Sequence, residues 1–157
     1  VSAEEFDGSN MSTPQPSETA RTEIAIAVVR HQGRVVIGRR SEDGPLAGYW
    51  EFPGGKQQAG ETTAAAAVRE CREETGMTVT VIGTLDVVQH DYEHGRLRLS
   101  FHDCRPVDAG PTDAIYDFDA VADPREPFRW TAVDQLAQYD FPPANASVVK
   151  MLMTKGE

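Results

Sequence analysis

The sequence predicts an α+β domain, a mixed β-sheet with helices packed on its faces. Two observations carry this expectation. Strand-like alternation of apolar residues occurs both before and after one long helical stretch, and two shorter helical stretches close the chain. The long stretch, Thr62 to Thr75, has a narrow apolar stripe at Ala64, Val68, Cys71 and Thr75, as a helix lying on a sheet requires.

Residues 1–21 are rich in Ser, Thr, Pro, Gln and Glu and offer little to bury, so they read as a disordered lead-in to a domain over 22–157. The first residue is Val, with Met11 inside the stretch, and the segment reads equally as a tag remnant or a linker from a longer chain. Ile24, Ile26 and Val28 alternate with small residues, and His31-Gln32-Gly33 turns into Val35-Val36-Ile37, which predicts a β-hairpin. A loop from Ser41 to Tyr49 leads to a short Trp50-Glu51-Phe52 strand and a sharp Pro53-Gly54-Gly55 turn. The helix follows, closed by Gly76 at its C′ position. Two strands come next, Thr78 to about His90 and Arg96 to about Cys104, joined by a turn at Glu93-His94-Gly95. Arg105 to Pro124 is too long and polar for a simple connection and reads as a functional or mobile loop. A strand through Phe128 and Trp130 precedes short helices at Val133 to Tyr139 and after Pro142-Pro143.

Composition removes several function classes. The formal charge is −10, from 25 acidic against 15 basic residues, which repels polyanions and argues against a nucleic-acid polymer as partner. A small anionic substrate stays compatible if a metal ion supplies positive charge locally. No run approaches the roughly 18 apolar residues that span a bilayer, and no signal segment opens the chain, so no membrane role and a cytoplasmic location are expected. Cys71 and Cys104 read as free thiols of a reducing compartment. Cys71 belongs to the helix stripe and reads as core, not nucleophile.

The other side of that helix is less ordinary. At 100° per residue, Glu70, Glu73 and Glu74 share about a third of its circumference. The i,i+3 and i,i+4 carboxylate pairs each destabilise an isolated helix by roughly 0.2–0.5 kcal/mol. Their position near the C-terminus adds roughly 0.3–1 kcal/mol per charge against the helix dipole. Glutamate is a good helix former, and most charged faces are merely solvated. Here the repulsion favours a site instead, because a divalent cation reverses the sign of every repulsive interaction. All-oxygen ligands suit Mg²⁺, or Mn²⁺ as a substitute, better than Zn²⁺. His90, His94 and His102 lie around one hairpin, but exposed histidines of strands and turns explain them without a metal.

These residues match a known pattern. Gly55, Glu61 and the run Arg69-Glu70-Cys71-Arg72-Glu73-Glu74-Thr75-Gly76-Met77 resemble the Nudix box, G-x5-E-x7-R-E-U-x-E-E-x-G-U with U bulky and apolar. All seven fixed positions agree, against chance odds of roughly one in a million at about 6% per position. Cys71 departs softly, standing where an aliphatic residue is usual. The run Gly48-Tyr49-Trp50-Glu51-Phe52-Pro53-Gly54-Gly55-Lys56 and the segment Phe141-Pro142-Pro143-Ala144-Asn145 are similar to those of MutT-like members. The resemblance spans about Thr22 to Met153. It implies the Nudix fold, a mixed sheet sandwiched between helices, and an enzyme acting on small nucleotides; a monomer is expected over an oligomer.

The resemblance also implies roles. Glu70, Glu73 and Glu74, with a backbone carbonyl of Gly54 or Gly55, would hold the metal. Arg69 would orient the glutamates, and Glu61 would support them. Glu70 is one candidate general base. The segment before Trp130 offers Asp119, Asp123 and Glu126 as others, with Glu126 preferred, although the corresponding MutT glutamate stands further from its tryptophan. Arg40 aligns with a substrate-contacting arginine; Arg39 and Lys56 are further candidates for the phosphates or base. Asn145 would read oxidised guanine, since a carboxamide offers a donor and an acceptor; a helix N-cap is its plainer alternative. The expected activity is hydrolysis of 8-oxo-dGTP to the monophosphate and pyrophosphate, in support of DNA replication and DNA repair. Three rivals remain: pyrophosphohydrolysis of CTP or a modified dCTP, cleavage of a nucleoside diphosphate sugar, which no added domain or dimerising segment favours, and a lesion-recognition module of a larger adenine glycosylase.

Overall fold

The computed structural model describes residues 21–44, 46–92, 95–107 and 121–155. The lead-in at 1–20, Glu93 and His94 of the expected turn, and Asp119 lie outside them.

Strands β1 (Thr22–His31) and β2 (Arg34–Arg39) form the expected hairpin, paired through Arg30↔Val35 and His31↔Arg34. β3 (Trp50–Glu51) pairs with β2. Gly54–Lys56, expected to be only a turn, is a short strand, β4, antiparallel to β1 with Ala25 opposite Gly55. The correction has a physical origin: glycines are depleted in strands, and the pairing is set by a non-local neighbour. β5 (Val79–Tyr92) and β6 (Gly95–Pro106) are antiparallel, and β6 lies parallel to β1 from Thr22↔Leu97 to Val29↔Cys104. β7 (Phe128–Ala132) adds to β2. The seven strands make one mixed sheet whose main path runs β3-β2-β1-β6-β5.

Both faces of the sheet are covered. On β1, Ala25, Ala27 and Val29 point to one side and Ile26 and Val28 to the other, all buried. The first side meets α1 (Thr63–Thr75) through Ala66, Ala67 and Cys71; the alanines on both surfaces keep the facing side chains small. The stripe is therefore rotated from the expected one: Ala66, Ala67, Cys71 and Thr75 are buried, while Ala64 and Val68 are only partly so. The second side packs against the C-terminal elements through Leu136, Ala144, Val148, Val149 and Leu152. These are a 3-10 helix at Val133–Gln138, one residue short of the expected short helix to Tyr139, a 3-10 turn at Pro143–Asn145, and α2 (Ala146–Lys155).

Because β6 is interior and α1 lies over part of it, its polar face is buried at Ser100 and His102, while the Arg96 and Arg98 side chains stay partly exposed. Ser100 and His102 are each 6% exposed. The His102 ring sits between Thr63 Oγ1 on its Nε2 side (3.0 Å) and Thr84 Oγ1 on its Nδ1 side (3.3 Å). The expectation of an exposed histidine there is corrected. Alternation along β6 was legible, but the helix that covers its polar side was not.

Candidate active site

Helix α1 is fixed at both ends by its own sequence. Thr62 Oγ1 accepts from Ala65 N–H (3.0 Å), and Gly76 takes the left-handed conformation (φ 80°) while donating to the Arg72 carbonyl (2.9 Å). Arg125 reinforces the C-terminal end. Its guanidinium donates to the Glu73 carbonyl (3.0 Å) and its backbone N–H to the Thr75 carbonyl (2.8 Å). A cation at the helix C-terminus offsets the dipole that opposes the glutamates, and sequence reading gave Arg125 no role.

The glutamates are organised by Arg69. Its Nη2 and Nε donate to Glu61 Oε1 (2.7 Å) and Oε2 (3.1 Å), its Nη1 to Glu70 (3.0 Å) and more loosely to Glu73 (3.4 Å), and its Nη2 also to the Lys56 carbonyl (3.0 Å). Hydrogen bonding to Glu61 holds the guanidinium well above its ordinary pKa; the same bond, with one from Gln58 N–H, holds Glu61 below the usual carboxylate range. Thus Arg69 ties the β4 strand, the loop carrying Glu61 and two helix carboxylates into one unit.

Glu74 is placed differently. It is half-buried and accepts from Gly54 N–H (3.1 Å). Burial, followed by repulsion from Glu51, Glu70 and Glu73, pushes its carboxyl up to about 7. Gly55 faces Glu70 so closely that a Cβ there would overlap the carboxyl group. Glu70, Glu73, Glu74, Gly54 and Gly55 are therefore brought to one edge of α1. Among the described residues no three acidic, histidine or cysteine groups already form a cation cage, and Arg69 spreads its contacts over Glu61, Glu70 and Glu73. The donor set still fits a hard cation: every available ligand is oxygen, and Glu74 is burdened by like charges.

Beside this edge lies a cavity of about 340 Å³. Ile24, Ile26, Leu97 and Leu99 from β1 and β6 form an apolar wall, joined by Phe52. Gly54, Gly55 and Lys56 line it next to the glutamate helix. Arg40 and Glu51, paired at 2.6 Å, and Asn145 supply polar groups. Burial raises Glu51 above the usual carboxylate range despite the opposing pull of Arg40. Asn145 is 6% exposed, and its backbone N–H donates to the Pro142 carbonyl (2.9 Å). Glu51 was not singled out from the sequence; its signal was its place inside the Trp-Glu-Phe run, where an acidic residue interrupts an apolar one.

Other expected site residues are not gathered here. Arg39 is exposed and pairs with Glu42 (3.1 Å), away from the cavity wall. Glu126 and Asp123 are exposed on the segment beyond the C-terminal end of α1, near Arg125. Cys71 and Cys104 are fully buried, with burial pushing their thiols up to about 11 and about 12, so neither is a nucleophile. Trp50 packs edge-on to Tyr139, with Arg129 over its ring at 4.9 Å; Trp130 lies against the α1-side core.

A sheet closed on both faces by helices, with an Arg-organised glutamate helix at its edge, defines a recognisable class. The family model for the NUDIX domain matches residues 24–151, and the chain belongs to that family, the Nudix hydrolases. Over 133 residues it is 29% identical to the 8-oxo-dGTP diphosphatase of Escherichia coli strain K12, covering 84% of this chain and 96% of that one. It is 28% identical over 131 residues to the CTP pyrophosphohydrolase of the same strain, covering 83% and 90%. Among solved structures it resembles a MutT from work on Aliivibrio salmonicida and Vibrio cholerae, with 30% identity and a TM-score of 0.60 over 85% of this chain and 97% of that one. The E. coli ORF135 protein matches with 26% identity and a TM-score of 0.65 over 90% and 94%.

Proposed function

We propose that this protein is a Mg²⁺-dependent nucleoside triphosphate pyrophosphohydrolase that clears 8-oxo-dGTP from the cytoplasmic nucleotide pool. The observation that carries the reading is the junction of two features: one cavity is lined both by Gly54, Gly55 and Lys56, beside the glutamate helix, and by the buried Asn145. A nucleoside triphosphate has the same two-part chemistry, a polyanion joined to a planar base with a hydrogen-bonding edge.

In this reading Glu70, Glu73 and Glu74, with a carbonyl of Gly54 or Gly55, hold the divalent cation. When bound, such a cation neutralises phosphate oxygens and favours ionisation of a water. Arg69 keeps the carboxylates in place and is itself held by Glu61. Lys56 and Arg40 meet the phosphates or the base. Glu70 is the nearer choice to take the proton from water, because its carboxyl lies against Gly55 at the cavity edge. Glu126 would need its segment to move inward. The Asn145 carboxamide supplies one donor and one acceptor to the base edge.

A second reading, CTP or modified dCTP as substrate, is favoured by Glu51. A carboxylate in the cavity accepts well from the exocyclic amine of cytosine. Pyrophosphate release from equimolar 8-oxo-dGTP, dGTP, dCTP and CTP with Mg²⁺ separates the two. Preference for 8-oxo-dGTP, reduced in Asn145→Ala, supports the first; release mainly from the cytidine nucleotides supports the second. No release from any of the four would remove both.

A further inference from the structure

Among the described residues only Gln32 and Leu46 combine a side chain with positive φ, at 52° and 59°. Gln32 is explained by the tight β1–β2 turn that it opens with Gly33. Leu46 has no such explanation. Its loop carries Gly44 and Gly48, and Gly48 is itself left-handed at φ 84°. A leucine in this conformation suffers a clash between its Cβ and the backbone that glycine avoids. Strain of this kind persists where the surroundings enforce it, and it concentrates at binding sites.

The surroundings here are specific. Tyr49 N–H donates to the Leu46 carbonyl (3.1 Å), and the Tyr49 carbonyl accepts from Arg40 N–H (2.8 Å), which fastens the loop to the end of β2. Leu46 is the one described residue between Ser41 and Tyr49 that lines the cavity. It adds an apolar surface to a pocket whose sheet side is also apolar, at Ile24 and Leu97, and whose polar groups are Arg40, Glu51 and Asn145. A planar heteroaromatic base has this same distribution, with two apolar faces and a polar edge. We infer that Leu46 is a specificity-determining residue, held in a strained backbone conformation so that its side chain packs on the face of the substrate's base. This rests on the proposed nucleotide substrate.

The variant Leu46→Gly tests the inference because strain and contact then move in opposite directions. Glycine accepts the left-handed backbone, so the melting temperature should stay equal or rise. Binding of the nucleoside monophosphate product 8-oxo-dGMP, measured by calorimetry, should weaken about tenfold, the loss expected for one apolar side chain. The Ki of inorganic tripolyphosphate, which has no base, should not change. Unchanged 8-oxo-dGMP affinity would overturn the inference, and so would a lowered melting temperature with weakened tripolyphosphate, which marks a packing residue. Calorimetry needs no turnover. A parent protein that binds the monophosphate through Leu46 but hydrolyses no triphosphate would therefore sink the proposed activity alone. One that hydrolyses triphosphates indifferently to Leu46→Gly would sink this inference alone, and a parent that binds no nucleotide sinks both.

Discussion

Arg69 and Glu61 meet through two parallel hydrogen bonds, Nη2 to Oε1 at 2.7 Å and Nε to Oε2 at 3.1 Å. The third guanidinium nitrogen, Nη1, is left to reach Glu70 and Glu73. A lysine can supply the charge, but its donors share one nitrogen and cannot span Glu61 in parallel while also reaching Glu70 and Glu73. Arg69→Lys should lower kcat by roughly 10- to 100-fold, as loss of a ligand-orienting group does. Its melting temperature should stay near that of the parent, because lysine keeps a positive charge beside Glu61 and Glu70. Steady-state kinetics beside thermal denaturation checks both.

Glu74 is the carboxylate under most electrostatic pressure, raised to about 7 by burial and by Glu51, Glu70 and Glu73. Glu74→Gln keeps an oxygen for the Gly54 N–H and removes the charge. With a chelator present, the variant should be more stable by on the order of 0.5–1 kcal/mol, since like-charge and dipole repulsion are relieved. The melting temperature of the parent should climb with added Mg²⁺ and that of the variant should not. A variant that responds to Mg²⁺ as the parent does would exclude Glu74 as a ligand.

Gly55→Ala places a methyl group where the Glu70 carboxyl lies. A carboxyl at the end of a flexible side chain can swing aside, so the fold should lose less than about 1 kcal/mol. Glu70 would then be displaced from the edge it shares with Glu74. Turnover should fall at least tenfold, while circular dichroism and melting stay near those of the parent. Equal activity would show that the position of Glu70 does not matter.

His102 predicts a pH dependence of stability. Burial lowers its pKa below 6.5, so the unfolded chain binds a proton more readily than the folded one. This contribution is whole above pH 6.5 and is lost as pH falls toward the folded-state value. Melting temperatures between pH 7.5 and about 5 should decline more steeply in the parent than in His102→Gln. Parallel curves would contradict the burial.

The sequence determined a good deal by itself. Local rules place the ends of α1, because Thr62 and Gly76 act through hydrogen bonds and φ values within one turn of their positions. The β1–β2 hairpin and the alternation of Leu97, Leu99 and Phe101 are equally local. The glutamate face was legible because it costs energy that only a function explains. The family followed from the spacing from Gly55 to Met77.

Contacts between distant segments were decided only in three dimensions. β4 is a strand because β1 lies beside it, not because glycine prefers one. His102 is buried because α1 crosses β6, and alternation along β6 is the same whether its second face meets water or a helix. Arg125 reaches Glu73 across 52 positions, and the Arg40–Glu51 pair faces the cavity only because β2 and β3 are neighbours. Sequence periodicity records which side of an element a residue occupies; what stands opposite that side is settled by packing, and the wall of the cavity is made entirely of such oppositions.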